Sequence, residues 1–179
     1  MGILQKYEHG EFNDEDTLAL IADMHFAHIG SSLLIDRLDK ELKQFTESEY
    51  IDHYLLWHGI IMCLRRAFNT GATKSSGRKP YYPIKRENVQ TFLNDHGWAS
   101  TEGRDFNYFF DIGNKRVAHG NPVPGEYEVA NKDGVLELTI KLPDIQVLKE
   151  FEEMCLTIEC ELRELTGLDP ESDFGQITE

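Results

Sequence analysis

The sequence predicts an all-α fold, a helical bundle of four to five helices with a small β-hairpin inserted before the last helix. Apolar residues recur at alternating three- and four-residue spacing through most of the chain. Helix-stopping glycines (Gly71, Gly97, Gly167) fall between these periodic segments. Only across about 127–141 does the pattern change to strict alternation, around the turn Asn131-Lys-Asp-Gly134.

The first helix spans roughly residues 14–46, with Asn13 as its cap and acidic first-turn residues that suit the helix dipole. Ile21, Met24, His28, Ser31, Ile35, Leu38, Leu42 and Phe45 form a seam for bundle or dimer packing, and Gly30 marks a close crossing or a kink. Ser48 caps a second helix to about Asn69. One of its faces carries Ile51, Leu55, His58, Met62 and Arg65; the other carries Tyr54, Trp57, Ile61, Leu64 and Phe68. Apolar on two faces, it belongs at the centre of the bundle. Residues 71–86 read as loop, with Tyr81 and Tyr82 set among lysines and arginines. A short helix follows over 87–95, burying Val89, Phe92 and Leu93, and another over roughly 101–118. After the Pro/Gly loop Asn121–Gly125 and the hairpin, Pro143-Asp144 opens a last helix to about Thr166. Its inner side carries Ile145, Leu148, Phe151, Cys155, Ile158, Leu162 and Leu165.

At 179 residues the chain is one domain, 1–167, followed by a flexible acidic tail, 168–179. No run of about 18 apolar residues is visible and the first residues lack a signal-peptide core, so a cytoplasmic protein without membrane contact is expected. Cys63, Cys155 and Cys160 sit in apolar helical patterns without paired metal spacing, which reads as buried free thiols. The net charge of −14 argues against a whole surface that binds nucleic acid. Its distribution is uneven. Arg65, Arg66, Lys74, Arg78, Lys79, Lys85 and Arg86 form an island without acidic residues, leaving −21 on the rest. Such an island either holds a phosphate-bearing ligand or pairs with the chain's own acidic helices.

Metal chemistry finds little support in the spacing. His25 and His28 are read as pointing to the flank and to the seam respectively, and the His53/His58 separation splays those rings apart. No metal and no cofactor is therefore expected. Glycine-rich phosphate loops and a Gly-x-Ser-x-Gly elbow are also missing from the sequence. Arg65, near the end of an apolar helix, needs an anion: a carboxylate of this chain or a ligand phosphate.

The distinctive stretch is Asp111-Ile-Gly-Asn-Lys-Arg-Val-Ala-His119-Gly, a polar cluster on an aromatic-rich helix. Asn114-Lys-Arg-Val-Ala-His119-Gly resembles the motif of the HEPN superfamily (higher eukaryotes and prokaryotes nucleotide-binding domains), all-α bundles with an Arg, a polar residue and then a His, often in an Ala-His-Gly ending. Leu64-Arg-Arg-Ala-Phe68-Asn-Thr-Gly71 is similar to a segment of some prokaryotic relatives. The chain departs from the family at Gly113, where the family places its Arg. Three readings follow: Arg116 substitutes, the site is degenerate, or position 113 carries an inactivating change of the kind made in a toxic protein.

The resemblance implies a metal-independent endoribonuclease of a toxin, abortive-infection or antiviral defence system. His119 would be its acid or base, Arg116 its charge stabiliser and Asn114 its orienting residue. Arg65, Arg66, Lys115, Arg78 and Lys79 would contact phosphate or RNA. It further implies a homodimer and an antitoxin or other defence-system partner. The alternative is a non-catalytic dimeric module of the same fold that binds protein or nucleotide. Without the resemblance, Arg116 and His119 read as residues that satisfy the last carbonyls of a helix.

Overall fold

A computed structural model describes residues 14–40, 46–68, 84, 86–114, 127–132 and 134–167; at 14–16, 40, 127–132, 135–140, 165 and 166 it describes the backbone alone. Asn13, Leu42, Phe45, Tyr81, Tyr82, Asn121–Gly125 and the tail lie outside the described residues, as does the side chain of Leu165.

The described residues form a helical bundle: α1 (Asp14–Lys40), α2 (Glu47–Phe68), α3 (Arg86–Asp95), α4 (Phe106–Ile112) and α5 (Ile145–Thr166). Between α4 and α5, β1 (Tyr127–Lys132) pairs antiparallel with β2 (Val135–Ile140), from Tyr127 opposite Ile140 to Lys132 opposite Val135. Gly134 adopts φ 83 in the connecting turn, a value that glycine reaches without strain.

α1 packs most extensively on α5 and next on α2. Its seam residues Ile21, Met24 and Ser31 are buried, with Ile35 and Leu38 partly so. Gly30 marks a close crossing: a Cβ there would lie 2.8 Å from Ile60 Cγ1. The Thr17–Asp39 stretch, 23 residues, is long and apolar enough to cross a membrane, which corrects the expectation of no such segment. Here the same stretch packs within the bundle, with buried Asp23 paired to Arg66.

α2 is not central on both faces. Trp57, Ile60, Ile61, Leu64, Ala67 and Phe68 are buried, whereas Ile51 and Leu55 are exposed on the opposite side. Its cap is Thr46 rather than Ser48. Glu49 Oε2 accepts from Thr46 N at 2.8 Å, and Thr46 Oγ1 accepts from Glu49 N at 3.3 Å, a reciprocal capping box. An aromatic chain ties the inner helices together. Trp57 meets Phe151 edge-on at 5.5 Å, Phe109 meets Phe151 at 5.1 Å, and Phe68 meets Phe106 at 5.2 Å.

α3 buries Val89, Phe92 and Leu93, as its periodicity predicts. The following helix starts five residues later than expected. Glu102 at φ 55 and Gly103 at φ 77 turn the chain left-handed, so no helix can pass through them. Asp105 then caps α4, its Oδ1 accepting from Tyr108 N at 2.9 Å, while Gln90 of α3 accepts from Phe106 N at 2.8 Å. The turn before α4 is anchored on α5: Arg104 Nε and Nη2 donate to the two oxygens of buried Glu150 at 2.8 and 2.9 Å. Trp98 Nε1 donates to the Glu150 carbonyl at 3.3 Å. α5 has the expected ends, Asp144 accepting from Val147 N at 2.9 Å and Gly167 closing at φ 68. The thiols differ from expectation: Cys155 is buried, Cys63 is half-buried and Cys160 is exposed.

Candidate functional site

The candidate site begins where α4 ends against the last turns of α2. Phe106, Phe109, Phe110 and Ile112 are all buried, and their burial seats α4 against the core. Seating α4 this way brings Gly113 onto α2. A Cβ at Gly113 would lie 3.0 Å from Ile61 Cγ2, 3.2 Å from Arg65 Cβ and 3.3 Å from the Ile61 carbonyl oxygen. Glycine is therefore what lets the two backbones approach. An arginine at 113 would begin its side chain inside that contact, and Ile61 and Arg65 would have to give by a few tenths of an ångström to admit it.

An arginine reaches the motif from the other helix instead. Arg65 runs past Gly113, and its Nε donates to Asn114 Oδ1 at 3.1 Å. The contact is half-buried and joins residues 49 apart in sequence. With Oδ1 accepting, the Asn114 amide nitrogen is turned to act as a donor. Arg65 also presents its terminal guanidinium nitrogens, which are donors only. The expected carboxylate for Arg65 is replaced, among the described residues, by this neutral amide.

The other described cations of the basic island go to carboxylates of this chain. Arg66 Nε donates to both oxygens of Asp23, at 3.0 and 2.9 Å. Arg86 sits over the Phe110 ring, 3.9 Å from its centroid, with Nη2 3.7 Å from Asp111 Oδ1. Arg66 is thus tied to α1, and Arg65 is the described cation brought to the motif. His119, Arg116, Lys115, Arg78 and Lys79 lie outside the described residues.

A second polar cluster, which the sequence reading set aside, lies between α1 and α5. His25 Nδ1 is 2.8 Å from Glu159 Oε1, and His28 Nδ1 is 3.3 Å from Glu159 Oε2. The two histidines do not diverge as expected. Three helical residues turn the side-chain direction through about 300°, so the rings stand only about 60° apart and both reach one partner. Buried Arg163 also donates from Nε to Glu159 Oε1 at 2.8 Å. Burial raises the Glu159 pKa, but hydrogen bonds from His28, His25 and Arg163 outweigh it and hold the carboxyl below its ordinary value. The sequence signal was the i,i+3 histidine pair together with the carboxylates Glu152 and Glu159, two turns apart on the last helix.

Compared with protein-family models, with curated proteins and with solved structures, the chain gives no match in any of the three.

Proposed function

We propose that the chain is a HEPN-like metal-independent endoribonuclease of a toxin or defence system, in which Arg65 takes the place of the arginine that Gly113 displaces. The observation that carries this reading is the Arg65 Nε to Asn114 Oδ1 hydrogen bond at 3.1 Å. It sets a guanidinium beside the polar residue of the motif from a helix of 22 residues, about six turns, packed in the core. In this mechanism His119 takes the proton from a ribose 2′-hydroxyl. The 2′-oxygen attacks phosphorus, the bond to the 5′-oxygen breaks, the leaving 5′-oxygen takes a proton from water, and His119 afterwards returns its proton to solvent. Arg65 stabilises the negative charge that develops on the phosphoryl oxygens, and Asn114 orients the phosphate or the imidazole. The products are a 2′,3′-cyclic phosphate and a 5′-hydroxyl.

The fold within this proposal is the bundle with its hairpin before the last helix, working in the cytoplasm and held by an antitoxin or another defence-system partner. The protein acts as a homodimer through the outer faces of α1 and α2. Phe26, Ile29 and Leu33 of α1 and Ile51 and Leu55 of α2 are exposed there, Phe26 by 60% and Leu55 by 59%. Together they present on the order of 500 Å² of apolar surface per chain, enough for a two-fold contact of about 1,000 Å².

A second reading, a non-catalytic dimeric module binding protein or nucleotide, draws on the same Gly113 contact, because glycine, packed closely on Ile61 and Arg65, stands where the resemblance expects an arginine. Cleavage of a mixed RNA substrate separates the two. The enzyme loses about 10²–10⁴-fold in rate with His119→Ala. A chain that cuts no RNA, or whose cleavage survives that change, is not this enzyme.

A further inference from the structure

The geometry points to a binding site for one divalent transition-metal ion of the zinc class between α1 and α5, held by His25, His28 and Glu159. One ligand atom from each of His25, His28 and Glu159 can be chosen so that all lie within 4.8 Å of one another. The closest approaches are 2.8 Å from His25 Nδ1 to Glu159 Oε1 and 3.3 Å from His28 Nδ1 to Glu159 Oε2, while Glu152 Oε1 lies 4.0 Å from the other His28 ring nitrogen, Nε2, outside the same coordination sphere. An ion bound tetrahedrally at about 2.0–2.2 Å holds neighbouring donors about 3.3–3.6 Å apart, so three donors within 4.8 Å of one another need side-chain shifts of about 1 Å or less, with water completing the shell.

The helices supply the donors in register. His25 and His28 occupy one side of α1 one turn apart. Glu152 and Glu159 stand two turns apart on the facing side of α5. Both helices are long and packed together along their length, which limits the freedom lost when the donors converge. The Glu159 side chain is 5% exposed, whereas His25 and His28 are 23% and 20% exposed, so an ion has an entrance from solvent and a desolvated carboxylate to meet.

Arg163 is the group that a cation must contend with. Its Nε is 2.8 Å from Glu159 Oε1, and it is 3% exposed. Its bond to Oε1, the oxygen that His25 Nδ1 also meets, leaves Oε2 beside His28 as the ligand atom, so His25 Nδ1 exchanges its contact with Oε1 for the ion. Arg163 then becomes the partner that fixes the carboxylate's orientation, the role outer hydrogen bonds have at metal sites. Two imidazoles with carboxylate oxygens select zinc, nickel, cobalt or copper over magnesium and calcium, which prefer all-oxygen shells. The bound ion would cross-link α1 to α5, the most extensive helix pair in the bundle.

The inference does not depend on the ribonuclease reading, and its test uses no RNA. The full chain, stripped with chelator and dialysed, is titrated with Zn²⁺ by calorimetry and with Co²⁺ by visible absorption. One ion per chain at micromolar dissociation constant or tighter is expected, with d–d bands of a tetrahedral cobalt site and a thermal midpoint raised by several degrees at saturating zinc. His25→Ala and His28→Ala each weaken binding at least tenfold, whereas His58→Ala on α2 does not. His25 is partly exposed, so its variant remains folded even if a change at buried Glu159 does not. Binding weaker than millimolar, or affinity unmoved by both histidine changes, overturns the assignment.

Discussion

Replacing Gly113 with alanine adds one methyl group to the surface where α4 meets α2. On an open helix that change would stabilise the chain by about 1 kcal/mol through backbone entropy. At this position the new Cβ lies 3.0 Å from Ile61 Cγ2, 3.2 Å from Arg65 Cβ and 3.3 Å from the Ile61 carbonyl oxygen. None of these is the tip of a flexible side chain. Ile61 is 1% exposed, and the carbonyl belongs to a helix backbone. Overpacking of this kind costs about 1–3 kcal/mol, which exceeds the helix gain at most of that range. The expected net loss is about 1 kcal/mol, a fall in Tm of roughly 2–4 °C for a chain of this size. Gly113→Arg loses more, because its first methylenes enter the same contact, and the displaced α4 also separates Asn114 from Arg65. Urea denaturation followed by far-UV circular dichroism measures both, with the m-value checking that the denatured state is unaltered. A Gly113→Ala protein more stable than the parent would refute the close approach. A Gly113→Arg protein that folds with parental stability and gains nuclease activity would show that an arginine belongs there.

Three further predictions concern the bundle. Gly30→Ala destabilises the chain by about 1–2 kcal/mol despite its better helix propensity, because its Cβ would lie 2.8 Å from Ile60 Cγ1; denaturation would reveal a gain instead if α1 and α2 were further apart. Hydrogen bonds from Arg104 hold the Glu150 carboxyl below its ordinary value against its burial. That contribution is therefore complete above about pH 4.3 and is lost as pH falls through the folded-state value. Glu150→Gln should cost about 1–3 kcal/mol at pH 7, and the difference from the parent should shrink between about pH 5 and 3; a constant difference would contradict it. Phe26→Glu should shift the sedimentation coefficient from dimer to monomer without changing the helical circular dichroism, and a parent already monomeric at tens of micromolar removes the α1–α2 face as the dimer contact.

Local signals carried much of the bundle. Asp144 and Gly167 bracket α5 because caps act within a turn of the helix they end, and α3 buried the three residues its spacing named. Thr46-Glu-Ser-Glu49 was equally local, a capping box overlooked in favour of Ser48. The late start of α4 was signalled by Gly103, but periodic apolar residues beyond it drew the helix too far back. What was illegible depends on neighbours. Two apolar faces of α2 look alike in sequence, and only the positions of α1, α4 and α5 decide that Trp57 is buried and Leu55 is not. The packing role of Gly113 depends on α2, which stands against it from far away in sequence. Arg65 and Asn114 meet across 49 residues, and His25 and Glu159 across 134, separations at which no spacing rule operates.

The central claim, that Arg65 supplies the charge which Gly113 cannot, is tested most directly by the single-turnover rate of RNA cleavage with Arg65→Ala beside the parent. The account predicts a fall of about 10²–10³-fold in the rate constant, with partial recovery in Arg65→Lys and the thermal midpoint of each variant checked in parallel. Cleavage by Arg65→Ala at the parental rate, from a protein of unchanged stability, would contradict it.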